Sequence, residues 1–114
     1  AETLEGVVEA YIHTGGRIGA LVEVNCETDF VARTSDFKEL AHNLAMQVAA
    51  MAPEFIDRSE LPEADSRNPE EVCLLQQPFI KDGTKIVQDL ITELAARVGE
   101  SIRVRRFTYF GLGR

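Results

Sequence analysis

The chain of 114 residues contains no tryptophan, only two cysteines and two histidines, and no apolar run that approaches the length of a membrane span. The two cysteines, Cys26 and Cys73, match no metal-binding spacing and form no disulfide framework. Cys26 falls on the apolar side of a predicted strand, so we expect a buried, reduced thiol and a reducing compartment. These absences argue against disulfide-rich, metal-held and membrane-spanning proteins.

Catalytic motifs are missing as well. The sequence has no nucleophile elbow, no HExxH, no Walker motif and no cysteine paired with histidine. The glycine-rich stretch "HTGGRIG" lacks the Walker lysine and no helix start follows it, so it predicts a hairpin turn. The sequence therefore predicts no catalytic, metal-binding or cofactor-binding residues. A small hydrolase that uses two acidic residues stays as a weak alternative, which a cleft converging on two carboxylates would support.

Positive charge is scarce. The net charge is −7, which argues against direct nucleic-acid binding because a phosphate backbone needs a cationic face. The one basic cluster, Arg103, Arg105 and Arg106, is better interpreted as the solvated face of a strand. The content of 45% hydrophobic and 27% charged residues is ordinary for a globular domain. At this length, we expect one domain with a core of its own.

The N-terminal stretch "GVVEAYIHTGGRIGALVEVNC" predicts a β-hairpin with strands at residues 6–13 and 18–26. Gly15 and Gly16 supply the turn, because glycine tolerates positive φ. Two apolar alternations are predicted to share the helix-covered face: Val8, Ala10 and Ile12 in the first strand, and Ile18, Ala20 and Val22 in the second. That face requires an odd-length loop, which pairs Ile12 with Ile18 and Val8 with Val22.

The opposite parity of the hairpin predicts an outer face with apolar groups of its own. Val7, Tyr11 and Leu21 fall on it, and Tyr11 should lie opposite Gly19. Apolar groups on an exposed sheet face suggest a self-association surface. Apolar residues scattered over a monomer's surface are the plain alternative.

Three helices are predicted between the hairpin and a last strand. The first has one apolar face from Phe37 to Ala52, a cap at Ser35 or Asp36, and an end at Pro53. A short second helix starts at Asn68 and ends near Leu75. A third is capped by Asp82 or Thr84 and ends at Gly99. The strand "SIRVRRFTYF" follows, and its apolar parity changes unless a β-bulge lies near Arg105 and Arg106.

This order predicts an α+β fold of two layers. The elements run strand, strand, helices, strand, and form a three-stranded antiparallel sheet with helices on one face.

The stretch "VNCETDFVART" breaks the pattern between the second strand and the first predicted helix. Phe30 stands there although strand and helix each have a complete apolar face without it. Packing of Phe30 beneath its own domain, with a local turn made by Thr28 or Asp29, is the ordinary interpretation. A firm projection that inserts an aromatic ring and a carboxylate into a partner is the other. Exposure of Phe30 would favour the second interpretation, and burial the first.

At these residues the sequence resembles the elongation factor Ts family, the guanine-nucleotide exchange factors of translation elongation factor Tu. The family's motif is nearly continuous around "LVEVNCETDFVART". Further resemblance lies in "FKELAHNLAMQVAAMAP", "LLQQPFIKDGTKIVQDLI" and "VGESIRVRRFTYFGLG". It covers essentially the whole chain, so residues 1–114 are expected to form a single core domain of a short form. The family's N-terminal three-helix domain, second core half and coiled-coil insertion are expected to be absent from this chain.

The resemblance implies a function and a site. It implies an exchange factor rather than an enzyme, with Thr28, Asp29, Phe30 and Val31 entering the GTPase and disturbing its magnesium and phosphate coordination. It also implies elongation factor Tu as the partner, a possible homodimer, no membrane, and a cytoplasmic location in bacteria or in an organelle matrix or stroma. The alternative function is a structural oligomerisation or ribosome-associated module without exchange activity.

Overall fold

A computed structural model describes residues 2–113 and contains one three-stranded antiparallel sheet with helices on one face. Strands β1 (Glu5–Ile12) and β2 (Ile18–Cys26) form the predicted hairpin. Strand β5 (Arg103–Gly111) pairs antiparallel with the other side of β2, so the order is β1-β2-β5. The predicted α+β fold class is therefore confirmed, and β2 is the middle strand of the sheet.

Four helices lie between β2 and β5 in the sequence: α1 (Asp29–Ala32), α2 (Ser35–Met51), α3 (Pro69–Val72) and α4 (Val87–Val98). Single 3₁₀ turns cover Arg58–Glu60 and Leu74–Gln76. A small second sheet, which the sequence did not predict, pairs β3 (Pro78–Phe79) with β4 (Asp82–Ile86). The sequence signal for it is weak because β3 has two residues and β4 has no apolar alternation.

The helix ends agree with the prediction only in part. The N-cap of α2 is Thr34, one residue before the predicted Ser35, and its Oγ1 accepts from the backbone N–H of Phe37 at 3.2 Å. Asn68 caps α3 as predicted. The predicted cap of the last helix at Asp82 or Thr84 is wrong, because those residues belong to β4. That helix begins at Val87, and the backbone N–H of Ile86 donates to the carboxylate of Asp89 at 2.9 Å.

The core lies between the sheet and α2. The apolar stripe of α2 and the inner face of β2 belong to one buried cluster, which includes Val22, Val24, Cys26, Phe37, Leu44 and Val48. Burying side chains of this size contributes about 1.5–3 kcal/mol each, so this contact dominates the stability of the domain.

The predicted register of the hairpin is wrong. Ile12 lies opposite Gly19 rather than Ile18, Val8 lies opposite Glu23 rather than Val22, and Tyr11 lies opposite Ala20 rather than Gly19. The backbone N–H of His13 donates to the carbonyl of Ile18 at 2.9 Å, which closes a loop of even length.

The two faces of β1 are consequently exchanged. Val8, Ala10 and Ile12 are exposed on the outer face, whereas Val7 and Tyr11 are partly buried against the core. The physical reason is that β1 is an edge strand with apolar residues at both even and odd positions. The more regular apolar alternation, at the even positions, therefore did not identify the buried face. Tyr11 has more area to bury than Ala10 at the neighbouring position.

The predicted bulge in the last strand is confirmed. Arg106 lies opposite Glu23 and Val104 opposite Val24, which leaves Arg105 without a partner residue in the ladder. The extra residue returns Phe107 and Tyr109 to the helix-covered face, where both are partly buried against the core.

Gly6 generates a prediction about how β1 meets β2. Its φ is +152°, and a Cβ atom there would lie 2.0 Å from the carbonyl oxygen of Val24. We expect Gly6→Ala to lower the free energy of unfolding by about 1–3 kcal/mol, because the strands would have to separate. Gly83→Ala is the matched control, since nothing lies within 4 Å of a Cβ there. Urea denaturation midpoints check this, and equal midpoints for the two variants would contradict it.

Candidate partner-binding site

The segment that links β2 to α2 is a helical turn and not an irregular loop. Thr28 is the N-cap of α1, and its Oγ1 accepts from the backbone N–H of Val31 at 3.2 Å. Asp29 occupies the first turn, where a carboxylate interacts favourably with the helix dipole. This turn was not predicted from the sequence, although threonine followed directly by aspartate is a usual helix start.

The four predicted site residues divide into an outer and an inner set. Thr28, Asp29 and Phe30 are exposed, and Phe30 leaves 75% of its surface open to solvent. Val31 is only 4% exposed and belongs to the core. The packing interpretation of Phe30 is therefore wrong, because the ring lies outside its own domain.

The carboxylate of Asp29 forms an ion pair within its own helical turn. Arg33 donates from Nε to an Oδ atom of Asp29 at 3.1 Å, and both side chains are mainly exposed. An exposed pair of this kind contributes about 0.3–0.5 kcal/mol, so a partner can displace Arg33 at little cost. Asp29 is thus an accessible acceptor beside the exposed ring.

Thr34 joins this turn to the long helix. Its Oγ1 donates to the carbonyl of Val31 at 2.8 Å and accepts from the backbone N–H of Phe37. One hydroxyl therefore both ends α1 and caps α2. Because α2 is anchored in the core through Phe37, the exposed turn is fixed from its C-terminal side.

Glu100 fixes the turn from its other side. One carboxylate oxygen of Glu100 accepts from the backbone N–H groups of Glu27 at 3.0 Å and Thr28 at 3.1 Å. The other accepts from the Thr28 hydroxyl at 2.6 Å. In return, the backbone N–H of Ser101 donates to the carboxylate of Glu27 at 2.5 Å. We call these contacts of Glu27, Thr28, Glu100 and Ser101 the carboxylate clasp.

Ionisation of Glu100 favours the clasp at neutral pH. The pKa of Glu100 is lowered, chiefly because the Thr28 hydroxyl donates to its carboxylate and then because the backbone amides of Thr28 and Glu27 do. A lowered pKa in the folded state means that the contribution of the clasp is fully present above the ordinary carboxyl pKa. That contribution is lost as the pH falls through the lowered value.

Cys26 lies directly below the turn. It is buried, with its Sγ–H donating to the carbonyl of Thr28 at 3.2 Å, and its pKa is raised mainly by burial. A thiol with a raised pKa is a poor nucleophile at neutral pH. The predicted buried, reduced thiol is confirmed, and Cys73 is also free and buried.

The outer face of the sheet is the second exposed apolar surface. Five large apolar side chains on β1, β2, β5 and the residue after β5 form what we call the outer apolar face: Val8, Ile12, Leu21, Phe110 and Leu112, which are 46–70% exposed. Leu21 was predicted there, but Val7 and Tyr11 were not correctly placed, because the hairpin register differs.

The described residues offer little to other kinds of site. Residues 2–113 contain no group of three or more histidine, cysteine or acidic side chains that could hold a metal ion. In the same range, none of the helices combines the length and hydropathy needed to cross a bilayer.

Comparison with known proteins agrees with the resemblance. The family model described as "Elongation factor TS" matches residues 1–68. Elongation factor Ts of Moorella thermoacetica is 50% identical in an alignment that covers 96% of this chain and 68% of the relative. That of Carboxydothermus hydrogenoformans is 47% identical, with 96% and 64% covered. That of Rippkaea orientalis is 48% identical, with 98% and 57% covered.

The chain thus spans about two thirds or less of the length of these relatives. The alignments include nearly all residues of this chain and are not confined to the segment around Phe30. The family model covers more than half of the chain. The chain belongs to the elongation factor Ts family.

Proposed function

We propose that this chain is a guanine-nucleotide exchange domain, with residues 1–114 acting as a single core domain. It binds the translation GTPase elongation factor Tu and promotes release of GDP by inserting the segment Thr28-Asp29-Phe30-Val31, in which Asp29 and Phe30 face the partner and Val31 stays in the core. The observation that carries the proposal is the exposure of Phe30, which is 75% open to solvent on a turn fixed at both ends.

An exposed phenylalanine on a fixed turn suits insertion into a partner. Burying an aromatic ring in an interface contributes apolar area, and such rings are frequent hot spots. Because the clasp and Thr34 already order the turn, little conformational entropy remains to be lost on binding. Asp29 adds a directional acceptor next to the ring, while buried Val31 supports the segment from the core side.

Exchange makes and breaks no covalent bond, so it needs none of the catalytic motifs that the sequence lacks. The bound magnesium ion often carries the largest local charge at a nucleotide site. A segment that displaces the ligands of that ion weakens nucleotide binding. Linkage then requires the nucleotide to weaken binding of the exchange factor by the same factor. This reciprocity lets the partner pass from the exchange factor to a new nucleotide.

The charge and the expected surroundings agree with this partner. A net charge of −7 favours a basic patch on a protein over direct contact with nucleic acid. A role on a translation GTPase places the chain in the cytoplasm, or in an organelle matrix or stroma. The alternative is a structural or ribosome-associated module without exchange activity, and nucleotide release distinguishes the two.

We further propose that the outer apolar face binds a second copy of this chain. Three of its members, Ile12, Phe110 and Leu112, lie near the hairpin loop, where β2 starts, whereas Phe30 follows the end of β2. The first and last of the nine residues of β2 lie about 26 Å apart, because eight steps of ~3.3 Å separate them. A copy on this face would therefore leave Phe30 free to meet the GTPase.

The exposed ring of Phe30 generates a prediction about binding and stability. Phe30→Ala should change the free energy of unfolding by less than about 0.5 kcal/mol, because the ring is outside the core. It should weaken binding to elongation factor Tu by on the order of 2 kcal/mol or more if the ring is a hot spot. Stopped-flow release of a fluorescent GDP analogue, with chemical denaturation in parallel, measures both quantities.

Phe110→Ala is the matched control, because Phe110 is 70% exposed and lies on the outer apolar face. It should leave nucleotide release close to that of the unmodified chain. Equal losses for the two variants would show that Phe30 has no special role. Normal release by Phe30→Ala would show that the ring is not inserted.

The second prediction concerns Asp29 and its coupling to Phe30. Asp29→Asn should slow nucleotide release with little change in stability, because its ion pair with Arg33 is exposed. Combined with Phe30→Ala, the losses should be less than additive, since both side chains would enter one pocket. A double-mutant cycle on the release rates measures this. Strict additivity would contradict a shared pocket.

The third prediction concerns self-association. Leu21→Glu should dissociate the homodimer, because it places a charge in the middle of the outer apolar face. Met51→Glu is the matched control, since Met51 is 48% exposed against 46% for Leu21 and lies at the end of α2. Sedimentation velocity over a concentration series checks this. A monomeric unmodified chain at high concentration would show the self-association proposal to be wrong.

A further inference from the structure

We infer that Glu100 is a positioning residue: its carboxylate holds the start of α1 so that Asp29 and Phe30 meet the GTPase in one orientation. The inference rests on the proposed function and assigns to it a residue 70 positions away in the sequence. Glu100 follows Gly99, the left-handed C-cap of α4, and precedes the last strand.

Three hydrogen-bond donors converge on the carboxylate of Glu100. The backbone N–H groups of Glu27 and Thr28 and the Thr28 hydroxyl all donate to Glu100, at 3.0, 3.1 and 2.6 Å. Hydrogen bonds to an ionised carboxylate are about twice as strong as neutral ones. The two amides belong to the residues directly before α1, so their directions set the path by which the chain enters the turn.

The Thr28 hydroxyl donates one hydrogen bond and accepts another. A hydroxyl group has one hydrogen to donate and two lone pairs that accept. Because Thr28 donates its hydrogen to Glu100, its lone pairs are left for the backbone N–H of Val31, which donates to Oγ1 at 3.2 Å. Glu100 thereby selects the rotamer in which Thr28 caps α1. Without Glu100, the hydroxyl can turn toward water and the cap is weakened.

Helix α1 is too short to keep its geometry without support from other residues. It has four residues, far below the length at which a helix is stable by itself. Its geometry therefore depends on its caps and on the residues that hold it. Thr34 fixes its C-terminal side, and the clasp fixes its N-terminal side. Loss of Glu100 would remove three of the hydrogen bonds that hold the N-terminal side of the turn, so that the competent orientation becomes a fraction of the population.

The location of Glu100 indicates a positioning role rather than a general structural one. The clasp lies at the surface, and Glu100 contributes nothing to the buried cluster that joins the sheet to α2. The pairing of β2 with β5 also proceeds without it. We therefore expect loss of Glu100 to change the presentation of the turn while the global fold stays intact.

The test compares Glu100→Ala and Glu100→Gln. Glutamine retains an oxygen that accepts from the two amides, and its Nε2 can donate to Thr28 Oγ1. Glu93→Ala is the control, because it removes another glutamate carboxylate, one that lies within α4, is exposed and pairs with Lys85 at 3.0 Å. Release of a fluorescent GDP analogue from elongation factor Tu is measured over a range of exchange-factor concentrations, with thermal unfolding and amide hydrogen exchange by NMR on the same samples.

Glu100→Ala should raise the concentration needed for half-maximal release by about tenfold while the rate at saturation changes little, because only the competent fraction is reduced. Glutamine should restore most of the loss, and Glu93→Ala should behave as the unmodified chain. The amides of Glu27 and Thr28 should lose protection in Glu100→Ala without a matching fall in the unfolding midpoint. On a Phe30→Ala background, removal of Glu100 should have almost no further effect.

The outcomes separate the two proposals. If the unmodified chain promotes release and Phe30→Ala does not, but Glu100→Ala is normal, the inference about Glu100 is overturned and the proposed function stands. If glutamine fails as completely as alanine while the amides stay protected, Glu100 acts by its charge on the partner, and positioning is again overturned. If the unmodified chain promotes no release, the proposed function fails and the presentation of the turn to this GTPase fails with it.

Discussion

The packing of α2 against the middle strand β2 is the contact on which the other features depend. The inner face of β2 is almost completely buried, and the apolar stripe of α2 covers it. This contact sets the positions of the last residue of β2, Cys26, and of the first turn of α2, which contains Phe37. The eight residues between strand and helix have to span a fixed distance in a fixed direction. A short link between two rigid ends has few conformations, and Thr28 and Thr34 select a helical one.

A single helical turn explains how neighbouring residues take opposite tasks. Successive residues of a helix point about 100° apart, since 3.6 residues complete a turn. Val31 and Ala32 therefore enter the core while Phe30, just before them, points into solvent. The same turn that stabilises the domain through Val31 carries the exposed ring. This division accounts for an aromatic residue that is costly to leave in water and yet contributes nothing to the fold around it.

The sequence predicted those parts of the molecule in which a strong period meets a single buried face. The long helix α2, the apolar face of α4 with its end at Gly99, and the bulge at Arg105 belong to this group. The register of β1 was not predictable in the same way, because an edge strand with Val7 and Val8 side by side offers two apolar faces.

Of the candidate site, the sequence indicated the segment Thr28 to Val31 but not the residues that hold it. The residues of "TDFV" stood out because neither flanking element needed Phe30 for its apolar face. Glu100 gave no sign of its contact with Thr28, since 72 positions separate them and only the folded chain brings them together. The helical turn itself was within reach of the sequence, because Thr28 and Asp29 form a normal helix start.

The bulge at Arg105 has a further consequence, for the open edge of the sheet. β5 is an edge strand, and a regular edge presents a row of free backbone groups on which a strand of another chain can add. The unpaired residue interrupts that row and twists the strand locally, and it places a guanidinium between Val104 and Arg106. Strand addition, the first step of amyloid-like aggregation, is disfavoured at this edge. The same residue that turns Phe107 toward the core thus makes the β5 edge a poorer template for a strand of another chain.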